Sequence, residues 1–281
     1  MKPTFVGIGA QKCASSWIYD ILSDHPEVCV SERKEINYFT HHYDNGQNWY
    51  ENHFRCKSSA RAVGEISPSY FHESSAPGRA KRYLPNARIL VSLRDPVERA
   101  LSQHRHLVRI GVITGPDFSF EAGLESNPSY VEQGLYATHL ARWLDQFGLD
   151  NTLVVLMDDI RSDAAGVASN VYRFLGVSVK HHSSALMEKS NPSYAVRNRG
   201  LEDAVKFIRS SAKHIGLGWV WDGIGNTGLR RFYRTMNRAA SETVIPEPKP
   251  ETLARLKKEF ATEVDALEKL LGRDLSAWKQ M

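Results

Sequence analysis

Lys12 stands in Gly9-Ala10-Gln11-Lys12-Cys13-Ala14-Ser15-Ser16-Trp17-Ile18, directly after the apolar run Thr4-Phe5-Val6-Gly7-Ile8-Gly9. A strand, a loop with a lysine and paired hydroxyls, and a helix together gather amide N–H groups, a cation and a helix N-terminus around an anion. The loop is not a Walker A motif, because Lys12 comes early and no glycine stands directly before the hydroxyls. The plainer reading is a helix capped by Ser15, with Lys12 in solvent. A second candidate is Arg88-Ile89-Leu90-Val91-Ser92-Leu93-Arg94-Asp95-Pro96-Val97-Glu98-Arg99-Ala100-Leu101-Ser102. Here a strand ends at Leu93, Arg94 sits at its carboxyl end, Pro96 starts a helix, and Ser102 lies about two turns along it. Arg94 offers a fork of donors to a phosphate and Ser102 a hydroxyl; the bland alternative is an Arg94–Asp95 pair on a solvated surface. Glu35, in Ser31-Glu32-Arg33-Lys34-Glu35, reads by composition as a solvated charge, yet Tyr38-Phe39 follow closely.

These residues need elements to hold them. Short apolar runs at 4–9, 62–65, 88–93 and 152–157 read as strands. Helical patterns lie between them. Tyr136, Leu140, Leu144 and Phe147 share one face, as do Leu253, Leu256, Phe260, Val264, Leu267 and Leu271 of a long final helix that begins at Pro250. Strands alternating with helices predict an α/β fold: a parallel, doubly wound sheet with helices on both faces, in a single domain spanning 1–281. Residues 180–250 carry scattered glycines and prolines around Trp219, Val220 and Trp221, and read as an irregular region covering the cleft. In open α/β sheets ligands bind beyond the carboxyl ends of the strands, where both Lys12 and Arg94 fall.

Composition narrows the classes. The chain has 281 residues, 42% of them hydrophobic and 24% charged, enough for one sizeable core. A net charge of +4 suits a small anionic ligand and falls short of a nucleic-acid footprint. Arg99, Arg105 and Arg109, with His104 and His106, crowd one helix, but stacking aromatics are missing beside them, so the expected reading is a solvated face. Cys13, Cys29 and Cys56 have no metal-type spacing and read as reduced thiols. His41-His42 and His181-His182 lack partners at ligand spacing, and no metal is expected. There is no signal-peptide pattern at Met1 and no apolar run near the ~18 residues of a membrane helix, so a cytoplasmic location is expected.

The two motifs together resemble those of the PAPS-dependent sulfotransferases, which use 3′-phosphoadenosine 5′-phosphosulfate as donor and release PAP. The family pattern is a Lys-x-Gly-[Ser/Thr]-[Ser/Thr] loop after the first strand, then Arg-Asp-Pro-x-x-Arg-x-x-Ser. The heparan-sulfate type is most similar: its Lys-Glu-x-x-x-Phe segment is matched by Lys34 to Phe39, and its Tyr-x-x-x-Leu-x-x-Trp-Leu pattern by Tyr136 to Leu144. Leu270 to Trp278 also resembles the family's ending. The resemblance implies that Lys12 binds the 5′-phosphosulfate and steadies the bridging oxygen, with Cys13, Ala14, Ser15, Ser16 and Trp17 forming the rest of the loop. It implies Arg94 and Ser102 at the 3′-phosphate, Glu35 as the base, and Arg197 reaching the nucleotide from the covering region. The implied acceptor is a hydroxyl or amine of a saccharide or small molecule. Ala14 stands where the family has glycine, and Asn37 where some relatives carry histidine.

A P-loop kinase or ATPase is the alternative. Thr152-Leu153-Val154-Val155-Leu156-Met157-Asp158-Asp159 resembles a Walker B strand ending in magnesium-binding aspartates, although the matching Walker A lysine is misplaced.

Overall fold

A computed structural model describes residues 1–113, 118–186, 194–196, 238–240 and 245–280. Five strands, β1 (Phe5–Gly9), β2 (Val28–Val30), β3 (Ala62–Ile66), β4 (Arg88–Leu93) and β5 (Thr152–Leu156), form one parallel sheet in the order β2-β3-β1-β4-β5. Every residue of β1 and β3 is buried. That is why both read as continuous apolar runs and not as alternating ones. Of these five strands the sequence misses β2, a three-residue edge strand whose ends are half-exposed.

Helix α1 (Ser15–Ser23) returns from β1 and buries Trp17, Ile18, Ile21 and Leu22. Between β2 and β3 lies the short α2 (Gly46–Glu51), and α3 (Ala76–Tyr83) leads into β4. Then follow α4 (Pro96–Arg109), α5 (Phe120–Ser126), α6 (Ser129–Glu132) and α7 (Tyr136–Phe147). After β5 come α8 (Met157–Ser162) and α9 (Ala164–Leu175), and the last long helix is α10 (Pro250–Leu271). Asp163 accepts the Gly166 amide at 2.8 Å to start α9, and Gly176, in the left-handed region, ends it. One face of the sheet, with Phe5, Ile66, Leu90 and Val155, shares a core with α1 and α9. Val6, Ile8, Ile89 and Val91 alternate with those positions and are equally buried, so the second face is covered too. α7 packs on both α3 and α10, which bury Trp143, Leu256, Phe260 and Val264.

The chain divides into two compact units, one of Met1–Gln103, Asn127–Asn191 and Lys249–Met281, the other of His104–Ser126 and Pro192–Pro248. The sheet belongs to the first. In the second, β6 (Tyr194–Val196) and β7 (Arg238–Ala240) pair antiparallel. Most of the expected covering region, including Arg197, lies outside the described residues. His181, Ser183 and Ser184, at its start, are tied to the Asp24 carboxylate after α1.

One expectation is corrected. Cys29 and Cys56 form a disulfide, with their Cα atoms 5.5 Å apart. Only Cys13, buried, keeps a thiol, and the reduced-thiol argument for a cytoplasmic location falls away.

An ionisable group sits inside this sheet. Glu65, on β3, is fully buried, and burial pushes its carboxyl up to about 7. Its folded value therefore lies above its unfolded one, the folded state binds the extra proton, and stability falls as pH rises between the two. Thermal melts should show the midpoint of the wild type dropping relative to Glu65→Gln between pH 5 and pH 8. A difference constant across that range would mean that Glu65 ionises like a solvated carboxyl.

Candidate active site

The carboxyl ends of β1, β2, β3 and β4 deliver the chemistry-bearing residues. After β1 the chain turns at Gly9, whose φ of 131° suits glycine; a Cβ there would meet the Pro68 carbonyl at 2.8 Å. Lys12 and Ala14 then take left-handed backbone, φ 68° and 65°. Ala14 thus adopts the conformation a glycine would, and the loop keeps its shape at a steric cost of roughly 1–2 kcal/mol. The helix start differs from the capped reading. Ala14, not Ser15, is the N-cap, with no side-chain hydrogen bond, and Ser15 is the first helical residue. The opening amides of α1 therefore lack a side-chain cap, the condition under which a helix N-terminus receives an anion.

Arg94 joins the two motifs. Its guanidinium reaches the Lys12 carbonyl at 3.5 Å and the Glu98 carboxylate at 2.6 Å, and its Nε is buried without a hydrogen-bond partner among the described residues. The expected alternative, an Arg94–Asp95 pair, is not what forms. Asp95 instead caps α4, accepting the amides of Val97 and Glu98 at 2.7 and 3.2 Å. Ser102, half-buried, lies one helical turn beyond Glu98 on the same side of α4. A buried guanidinium with an orphaned nitrogen fits a phosphate oxygen, and Ser102 continues that surface.

Glu35 comes from the segment after β2. Its side chain is half-exposed, and Lys34 Nζ donates to its Oε1 at 2.6 Å while approaching Ser15 Oγ at 3.4 Å. One ammonium thus links the carboxylate to the start of α1. Sequence reasoning quoted Lys34 but gave it no role. It also missed Glu65 and the burial of Arg99. Far from lying on a solvated face, Arg99 is fully buried and donates to Gln103 Oε1 at 2.6 Å, to Gln133 Oε1 at 3.4 Å and to the Tyr130 carbonyl. These acceptors are neutral, and burial pushes the guanidinium's pKa down. His104, five residues on along the same helix, is also buried. The Cys13 thiol is buried 3.5 Å from the Tyr136 hydroxyl, and burial pushes it up, so Cys13 serves the loop as packing.

The aspartates that resemble a Walker B pair are engaged elsewhere. Asp159 takes both guanidinium nitrogens of Arg273 at 2.7 and 2.9 Å, and Asp158 accepts Trp278 Nε1 at 2.9 Å. The C-terminal segment uses both, which disfavours the kinase alternative. Among the described residues no group of three or more His, Cys, Asp or Glu is disposed to hold a metal ion, and no helix is long and apolar enough to cross a membrane.

Known proteins resemble this chain. It is 30% identical over 194 residues to human bifunctional heparan sulfate N-deacetylase/N-sulfotransferase 3, covering 62% of this chain and 22% of that protein. It is 31% identical over 181 residues to human heparan sulfate glucosamine 3-O-sulfotransferase 3B1, covering 62% of this chain and 46% of that protein. The chain thus spans less than half the length of these relatives. A crystal structure of a sulfotransferase from Alicyclobacillus acidocaldarius superimposes with a TM-score of 0.73 at 25% identity, covering 100% of both chains. The sulfotransferase domain family matches residues 2–212, most of the chain, and the protein belongs to that family.

Proposed function

We propose that this protein transfers a sulfuryl group from PAPS to a hydroxyl or amine of a saccharide, releasing PAP. The observation that carries the reading is the Lys34 bridge, which holds the Glu35 carboxylate beside the N-terminus of α1, with Lys12 in the same loop. A base and an anion cradle set side by side are what an in-line displacement at sulfur requires. When bound, the donor supplies an activated sulfuryl group on a good leaving phosphate.

The residues divide the work. Arg94 and Ser102 hold the 3′-phosphate, and the orphaned Arg94 Nε supports that assignment. Lys12, with the amides of Cys13, Ala14, Ser15, Ser16 and Trp17, holds the 5′ end. Lys12 stabilises the negative charge that grows on the bridging oxygen as the sulfur–oxygen bond breaks. Glu35 takes the proton of the acceptor group while its oxygen or nitrogen bonds to sulfur. The saccharide acceptor is supported by the heparan sulfate named for both relatives.

Binding of the donor half is read with PAP and AMP, which differ in the 3′-phosphate. PAP should raise the melting temperature by selective binding to the folded state, and AMP much less. Equal shifts would remove Arg94 and Ser102 from recognition of the 3′-phosphate. The chemical roles are read from turnover. Lys12→Ala should lose on the order of a hundredfold or more, as removal of a transition-state charge stabiliser does. Glu35→Gln should lose roughly 10²–10⁴-fold with PAP affinity near wild type, as loss of a general base does. Near-normal turnover in either variant would take that residue out of the mechanism, and parallel loss of PAP binding in Glu35→Gln would make it a donor-binding group.

A further inference from the structure

The segment that carries Glu35 is neither helix nor strand, yet three of its amides are satisfied by a single neighbour. The Glu35 amide donates to the Ile66 carbonyl at 3.1 Å. The Ile36 amide lies near enough to the Glu65 carboxyl to favour its ionised form. The Asn37 amide donates to Ser67 Oγ at 2.9 Å, and the Tyr38 amide to the Tyr70 hydroxyl at 2.7 Å. Glu65 in turn accepts the hydroxyls of Ser67 at 2.5 Å, Tyr50 at 3.2 Å and Tyr70. Three of these four amides are thus hydrogen-bonded by the end of β3 and the residues just after it, two of them by hydroxyls that donate to Glu65. Meanwhile Glu35 and Asn37 sit in left-handed backbone, φ 63° and 55°, which non-glycine residues keep only where the surroundings impose it.

Glu65 is fully buried, and among the described residues no cation is hydrogen-bonded to its carboxylate. In its ionised form Glu65 has about four acceptor sites, and the hydroxyls of Ser67, Tyr50 and Tyr70 donate to them. An apolar side chain in its place would leave the buried hydroxyls of Tyr50, Ser67 and Tyr70 without this acceptor. We infer that Glu65 is the positioning residue of the reaction, holding residues 35–38 in the conformation that presents Glu35 to the acceptor. The inference rests on the reading of Glu35 as base. Each hydroxyl has a defined direction: Ser67 and Tyr70 give their protons to Glu65 and so turn lone pairs toward Asn37 and Tyr38. A neutral amide at position 65 keeps one acceptor oxygen but turns N–H groups toward the donor or donors on its other side, which breaks that order.

The test combines hydrogen exchange with a double-mutant cycle in Glu65→Gln, Glu35→Gln and the double variant, using PAP for binding and PAPS with de-N-sulfated heparan sulfate for turnover. In Glu65→Gln the amides of residues 36–38 should exchange about tenfold faster or more, with the β1 and β4 amides still protected. PAP affinity should stay within about threefold, turnover should drop at least roughly tenfold, and the double variant should be no slower than Glu35→Gln, since both changes act through one group. Unchanged exchange at 36–38, exchange raised across the whole sheet together with lost PAP binding, or losses that multiply in the double variant would each overturn the inference. If Glu35→Gln alone keeps full turnover, the base assignment fails, while exchange still decides whether Glu65 holds the segment. Should Glu65→Gln not fold, Tyr70→Phe keeps the ring and removes one relay. The Tyr38 amide should then lose protection and turnover should fall, and a Tyr38 amide protected as in wild type would overturn the inference.

Discussion

A strand that ends without a helix after it leaves a row of amides with nowhere to bond, and the structure depends on how β2 meets that constraint. Buried amides must be paired. Here the partners come from the end of β3 and the turn after it: the Ile66 carbonyl and the hydroxyls of Ser67 and Tyr70, both of which donate to Glu65. The pairing fixes where Glu35 stands relative to the loop after β1. The sheet order makes this possible, because β3 lies between β2 and β1 and its end can reach toward both. The Ser67 amide donates to the Gly7 carbonyl of β1 at 2.8 Å, so the same short segment is anchored on both sides.

The charge arrangement follows the same geometry. Arg94 and Arg99 are largely buried, and each keeps a buried Nε without a partner among the described residues. Arg99 has neutral acceptors only, whereas Arg94 shares the half-exposed Glu98. Positive charge is therefore gathered under the β1–α1 loop with less compensation than buried cations usually receive, which favours an anionic ligand there. On the far edge the balance is different. Asp158 and Asp159, after β5, are matched by Arg161, Arg273 and Trp278, and that edge closes on its own C-terminal segment.

Much of this was legible in the sequence. Continuous apolar runs announced β1, β3, β4 and β5 within a residue, and the periodic Tyr136 and Pro250 segments became α7 and α10. The Lys12 loop and Arg94 were legible because motif and strand end coincide. Edge position and short length hid β2. Glu65 was invisible because a glutamate ending an apolar run looks like the start of a loop; only the tertiary donors around it reveal that it is core. The run of arginines on α4 misled, since helical spacing tells which residues share a face but not which face is buried, and Arg99 points inward. The Cys29–Cys56 bond was equally beyond reach, because it depends on how the chain between the two cysteines folds back, which no local pattern reports.

The central claim is that this site moves a sulfuryl group from PAPS. The most direct measurement follows label from sulfur-labelled PAPS into a glucosamine-containing saccharide while counting the PAP released. The account predicts label in the saccharide with one PAP formed for each sulfate transferred. Label that stays on PAPS, with phosphate moving instead from ATP to the same saccharide, would contradict it.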